Sequence, residues 1–271
     1  MLNNITIGQY FPGNSLLHKI DARMKIVLII VLMASLFVCR SYIALGAALA
    51  MTLITVILSG IKPSVILKGI KPIVFVVIFT ALLNLFYGTG EPIAKLWVFK
   101  ITESGINNAI FMSMRVILLV VTGLMLTYTT TPTSLTDAIE ALLKPIHTLF
   151  KADIHSLAMT MTIALRFIPT LIEEVDKIIS AQKSRGADLE NGNVFKRVKA
   201  LVPVLIPLFV SSFRRANELS YAMECRCYRG GEGRTKMKTM HLEARDYLSM
   251  IFVLAYLAGI IAIRILVKNV I

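Results

Sequence analysis

The chain has 271 residues, 56% of them hydrophobic and 17% charged, with a formal net charge of +13 and a mean hydropathy of +0.74. An apolar share above the roughly 45–50% of soluble domains excludes an ordinary water-soluble fold. A nucleic-acid surface is excluded too, because acidic residues are interleaved with the basic ones through 129–246, the pattern of ion-paired helices.

In chain order, the polar opening "MLNNITIGQYFPGNS" lacks the pattern of a secretory signal, so the first apolar stretch is expected to stay in the protein. Apolar stretches follow at 26–38, 42–58, 73–87, 106–128 and 248–267. A helix of roughly 20 residues crosses a hydrocarbon core of about 30 Å, so these read as spans. The first two are divided at Cys39-Arg40-Ser41, where a short turn is expected; undivided, they make the count four instead of five. Lys19, Arg23 and Lys25 precede the first span, and Lys62, Lys68 and Lys71 lie between the second and third. The opposite connection, 88–105, balances Lys95 and Lys100 with Glu91 and Glu103. This asymmetry places the N-terminus and the 129–246 segment in the cytoplasm, although Arg264 and Lys268 then fall outside. Arg115 stands within the fourth span, either snorkelling to the outer surface or contacting another helix.

Beyond Thr129 the pattern turns amphipathic. "TPTSLTDAIEALLKPI" predicts a short helix capped by Ser134 or Thr136 and stopped by Pro145. The stretch "ADIHSLAMTMTIALRFIPTLIEEVDKIISAQKSRG" predicts one long helix kinked at Pro169, on the order of 45 Å long. A second long helix, "NVFKRVKALVPVLIPLFVSSFRRANELSYAMECRCY", contains Pro203 and Pro207, and Asn191-Gly192 supplies the turn between the two. Glu173–Lys177 and Arg214–Glu218 are expected as ion pairs one turn apart. Each rod begins apolar and ends charged. Its apolar half carries Met159, Met161 and Leu165 in one helix and Leu205 and Leu208 in the other, adaptable side chains that suit either a changing partner or the chain's own spans.

Both rods end on an arginine between small residues, four positions after an alanine. The first has Ala181 and then Ser184-Arg185-Gly186; the second has Ala222 and then Cys225-Arg226-Cys227. A guanidinium is permanently charged and offers a rigid fork of donors, and small neighbours let it enter a groove closely. Arginine near a helix C-terminus followed by glycine is also an ordinary cap. Two such tips suggest two equivalent sockets. Cys39, Cys225 and Cys227 make no disulfide framework, and Cys225-x-Cys227 with His241 lacks the spacing of a structural zinc site. His18, His147, His155 and His241 are scattered, and no phosphate-binding Gly-x-x-x-x-Gly-Lys-Ser/Thr loop is present; "YRGGEGRT" reads as a turn. An integral-membrane enzyme and a standalone carrier, which would show repeated halves and charged residues along a path, remain the alternatives.

These stretches together resemble the transmembrane T components (EcfT, of the CbiQ-like family) of energy-coupling factor transporters. The resemblance runs nearly end to end, through "GQYFPGNSLLHKIDARMK", "TTTPTSLTDAIEALLKPI", "ALRFIPTLIEEVDKIISAQKSRGADL" and "LIPLFVSSFRRANELSYAMECRCYRGGEGRT". It implies an all-α integral membrane protein of a prokaryotic cell membrane, with about five transmembrane helices plus a cytoplasmic coupling domain of one short and two long kinked helices. The implied division is 1–128, 129–246 and 247–271. In the family, Ala-Arg-Gly tips dock on two ABC ATPase subunits, so Arg185 and Arg226 take that role. ATP and Mg are then bound by the ATPases, with no cofactor on this chain, and a membrane-embedded substrate-binding S component is the further partner. The N-terminal pattern is most similar to the branch that serves several vitamin-binding S components. Three departures stand out: Ser184 for alanine, Cys225 and Cys227 for alanine and glycine, and Ala22 for the proline between Asp21 and Arg23.

Overall fold

The computed structural model describes residues 10–86, 92–96, 99–150, 154–187, 194–230 and 241–266. The expected turn at Asn191-Gly192 and the glycine-rich run beyond Gly230 lie outside them, as does the side chain of His147. The helices are α1 (Leu16–Lys19), α2 (Ala22–Val38), α3 (Tyr42–Ser59), α4 (Pro63–Ile70), α5 (Val74–Phe86), α6 (Glu103–Thr129), α7 (Pro132–Phe150), α8 (Ile154–Ser184), α9 (Val194–Cys225) and α10 (Ala244–Leu266). A 3-10 turn, Lys71–Ile73, joins α4 to α5. The chain is thus an all-helical membrane protein, apart from a short antiparallel hairpin of β1 (Pro92–Leu96) and β2 (Phe99–Thr102) within the 88–105 connection.

The chain divides into two compact units. One comprises Gly8–Ala138 and Lys238–Ile271, the other Ile139–Met237. In the first, α2 packs against α6 and α10, α3 joins the same bundle, and α4 and α5 lie along α6. Its core gathers Leu36, Leu45, Phe111, Leu118 and Ile260, with small Ala44 and Ala48 letting the helices approach. Local chemistry sets the boundaries. The turn expected at Cys39-Arg40-Ser41 is present, and the Ser41 hydroxyl caps α3 by accepting from Ala44 N at 3.3 Å. Gly60, at φ +67°, ends α3 in the left-handed region that glycine tolerates.

Among the described residues, five helical stretches are long and apolar enough to cross a bilayer: Tyr42–Ser59, Pro63–Phe86, Glu103–Thr129, His155–Ser184 and Ala244–Leu266. The count equals the expected one, but the membership differs. The expected stretch 26–38 lies within α2, which at 17 residues rises about 25 Å, the short end of what a crossing needs, and the apolar half of α8 brings that helix into the set.

Two local expectations are corrected. Thr131, rather than Ser134 or Thr136, caps α7: its hydroxyl accepts from Ser134 N at 3.2 Å, with Pro132 in the first turn, where no amide hydrogen is needed. Pro145 does not stop α7, which continues to Phe150. The lost hydrogen bond is a local cost that neighbouring turns can absorb.

Candidate functional site

The two long helices end in the same backbone geometry. At the α8 tip, Gly186 N donates to Lys183 O at 3.0 Å and Ala187 N to Gln182 O at 3.0 Å. At the α9 tip, Cys227 N donates to Glu224 O at 2.9 Å and Tyr228 N to Met223 O at 3.0 Å. Each is a Schellman closure, in which a left-handed residue turns the chain back on the last carbonyls. Gly186 has φ +86° and Cys227 φ +56°, the latter being the one non-glycine with positive φ among the described residues. Cysteine thus forms the turn that glycine would form without strain, at a cost of about 1–2 kcal/mol. Arg185 and Arg226 occupy equivalent capping positions. Both are exposed, as are Ala181, Ser184, Gly186, Ala222, Cys225 and Cys227, and neither guanidinium has a partner among the described residues.

The helices carrying these tips run antiparallel. Gln182 Nε2 donates to Pro203 O at 3.2 Å, while Glu174 meets Arg215 Nη2 at 2.8 Å and accepts from the Ser211 hydroxyl. At the far end Tyr228 and Met223 line a groove with Ile163 and Phe167 of α8. Phe167 and Arg185 are separated by about 27 Å of helical rise, so the two arginines sit at opposite ends of the pair. Pro169 lies within α8 and Pro203 and Pro207 within α9, all without ending the helix.

Comparison with known proteins decides the family. The sequence pattern of the CbiQ family, described as cobalt transport protein, matches residues 13–237. The energy-coupling factor transporter transmembrane protein EcfT of Ruminiclostridium cellulolyticum is 51% identical over 92% of both chains. The EcfT of Clostridium kluyveri is 46% identical over 98% of both, and EcfT 1 of Listeria monocytogenes 38% over 97% of this chain and 99% of its own. The chain belongs to the CbiQ/EcfT family. It is a transmembrane component of an energy-coupling factor transporter.

For a family member the apolar halves of α8 and α9 are of interest, and the structure divides the expected set. Met161 and Leu205 are exposed, whereas Met159, Leu165 and Leu208 are half-buried. Around them Ile206, Phe209, Val210 and Phe213 are exposed, Phe209 by 62%, a broad apolar surface on one helix.

The N-terminal pair Asp21 and Arg23 belongs to a polar node of the membrane unit. The Asp21 carboxylate caps α2 by accepting from Arg23 N at 2.9 Å and holds the Arg23 side chain through Nε at 3.2 Å and Nη2 at 3.0 Å. Burial opposes ionisation of Asp21, but the hydrogen bonds and charge of Arg23 win and hold its carboxyl below the usual range. Asp21 N in turn donates to Asp246 Oδ1 at 3.0 Å, and Asp246 Oδ2 accepts from Glu243 N at 2.8 Å. Lys25, only 4% exposed and just ahead of the 26–38 stretch, donates to Thr129 O at 2.9 Å and lies 3.4 Å from Thr130 Oγ1. Burial pushes its ammonium down to about 8 against the pull of Asp21 and Asp246. The node joins the start of α2, the end of α6 and the start of α10, and none of it depends on a proline at position 22.

Arg115 contacts another helix of its own chain. Its Nη2 donates to Cys39 O at the end of α2, and its guanidinium stacks 4.8 Å from the centre of the Phe111 ring. A cation there complements the negative helix end. Sequence reasoning missed Lys25, Asp246, Glu174, Ser211 and Arg215. Only Asp246, an acidic residue in the first turn of an apolar helix, carried a signal that could have flagged it.

Proposed function

We propose that this chain couples ATP hydrolysis to vitamin import, with α8 and α9 as the coupling helices. Arg185 docks on one ABC ATPase subunit and Arg226 on a second, ATP and Mg being held by those subunits. The observation that supports the reading is the pair of matching Schellman tips, each presenting a guanidinium without a partner among the described residues, at opposite ends of one antiparallel pair. When the two ATPases close and open, their grooves pull on both ends of the pair. The apolar surface around Met161 and Leu205, with Met159, Leu165 and Leu208 behind it, receives a membrane-embedded S component that binds the vitamin. The chain itself is non-catalytic in this reading. It sits in the cell membrane of a prokaryote with its N-terminus cytoplasmic, the side to which the positive residues assign it.

The test is co-purification from mild detergent with Arg185→Ala, Arg226→Ala and the double variant. Loss of an arginine from a desolvated charge pair costs about 2–5 kcal/mol, so each single variant should hold its ATPase at least about thirtyfold less tightly. Vitamin uptake should then be lost. Normal assembly and transport by the double variant would falsify the docking role. Uptake by the isolated chain in liposomes would make it a carrier instead. Crosslinks from Met161 into a co-purified membrane protein test the platform.

A further inference from the structure

We propose that Cys225 and Cys227 make the α9 tip a site of thiol–disulfide exchange with an anionic low-molecular-weight disulfide, and that the resulting mixed disulfide releases the partner held by Arg226. The second half rests on the docking role proposed for that arginine.

The two tips share a backbone but not a chemistry. Around Arg185 stand Ser184 and Gly186, and a Cβ added at Gly186 would meet nothing within 4 Å. The corresponding position at the other tip is Cys227, held at φ +56°, with Cys225 on the other side of the arginine. Both thiols are free and exposed, whereas the third cysteine, Cys39, is fully buried in the bundle core. Reactive cysteines are accessible ones in electropositive surroundings, and among the described residues of this tip Arg226 and Arg229 outnumber the carboxylate of Glu224. Those charges draw in a disulfide that carries carboxylates.

The exchange balances without any further oxidant. A tip thiol gives its proton to solvent, and the thiolate attacks one sulfur of the small disulfide. A new S–S bond to the tip forms as the old S–S bond breaks, and the other half leaves as a thiolate. The tip sulfur is oxidised and the departing sulfur reduced; an added thiol reverses the step. The adduct places bulk and negative charge beside Arg226, where the α8 tip presents only a serine and a glycine. It therefore neutralises the guanidinium and blocks close approach on one side of the pair alone.

The experiment uses the full-length chain in mild detergent, treated with oxidised glutathione or with neutral hydroxyethyl disulfide and then offered its co-purifying ATPases. Peptide mass spectrometry should find adducts at Cys225 or Cys227 and none at Cys39, faster with glutathione. Retention of one ATPase subunit should fall at least tenfold and return on reduction with dithiothreitol. In the Cys225→Ser/Cys227→Ser chain the ratio of treated to untreated retention should be one, whatever its untreated affinity. Absence of adducts at the tip, adducts with unchanged retention, or a loss that persists in the double variant each overturn the proposal. An untreated Arg226→Ala chain separates the two readings: if it keeps both ATPases, docking itself fails, and if it loses one while treatment has no effect, only the exchange fails.

Discussion

Glu174 of α8 and Arg215 of α9 form an ion pair at 2.8 Å, and the same carboxylate accepts from the Ser211 hydroxyl. One side chain thus ties two turns of α9 to one of α8. With Arg215 39% exposed, solvent screens the pair, and its worth is set mainly by geometry. Glu174→Ala should destabilise the α8–α9 pair by about 1 kcal/mol. Hydrogen exchange of the α9 amides around Ser211 should accelerate correspondingly. A double-mutant cycle with Arg215→Ala should recover a coupling energy; strict additivity of the two substitutions would argue against the tie.

Lys25 carries a pH dependence with a definite sign. Its folded pKa of about 8 lies below the roughly 10.4 of an unfolded lysine, so the unfolded chain holds the proton more tightly between those values. Stability should be independent of this group below pH 8 and should rise with pH from about 8 to about 10.4. Thermal melts of the purified chain against pH, compared with Lys25→Met, check it. The variant should flatten that rise, since no ammonium remains to lose its proton on folding.

Gly69 sits where α4 crosses α6. A Cβ there would approach the Tyr128 hydroxyl to 2.4 Å and Leu124 Cδ1 to 2.8 Å. Gly69→Ala should therefore cost about 1–3 kcal/mol of stability. Combining it with Tyr128→Phe should restore part of the loss, because the nearest obstacle is the hydroxyl itself. If the double variant melts no higher than Gly69→Ala alone, the close approach is not the cause.

The left-handed conformation of Cys227 predicts a gain on reverting to glycine. Cys227→Gly should strengthen the closure of α9 by about 1 kcal/mol, read as slower exchange of the Tyr228 amide that donates to Met223. Cys227→Val, with a branched Cβ at positive φ, should move exchange in the opposite direction.

Arg115 predicts an effect on α2. Arg115→Leu keeps the volume but removes the donor to Cys39 O, which should loosen the last turn of α2 by about 1–3 kcal/mol. Arg115→Lys should restore only part, since a point charge cannot both reach the carbonyl and stack on Phe111.

The sequence made the long helices legible because their periodicity runs for about thirty residues without a turn signal, and local noise averages out over that length. The tips were legible for another reason: arginine between small residues at a charged end is rare enough to stand out. The Cys39-Arg40-Ser41 break was visible because a serine cap interrupts an otherwise featureless apolar run. What failed was decided by partners far along the chain. Glu173 reads locally as the partner of Lys177, and nothing near Glu174 hints that it reaches α9, while Arg115 could face the outer surface or another helix with equal logic. Pro145 misled because its local cost was weighed without the helix around it, and the 92–102 hairpin was hidden inside a connection read only for its charge balance.

The bond from Asp21 N to Asp246 spans 225 positions, with the whole of α8 and α9 emerging from the ribosome between its two ends. At roughly 5–20 residues per second that is an interval of about ten to forty-five seconds in which the start of α2 waits for α10. A nascent chain truncated before α10 should leave the Asp21 amide without its carboxylate partner, a species that quality-control proteases can recognise as unfinished.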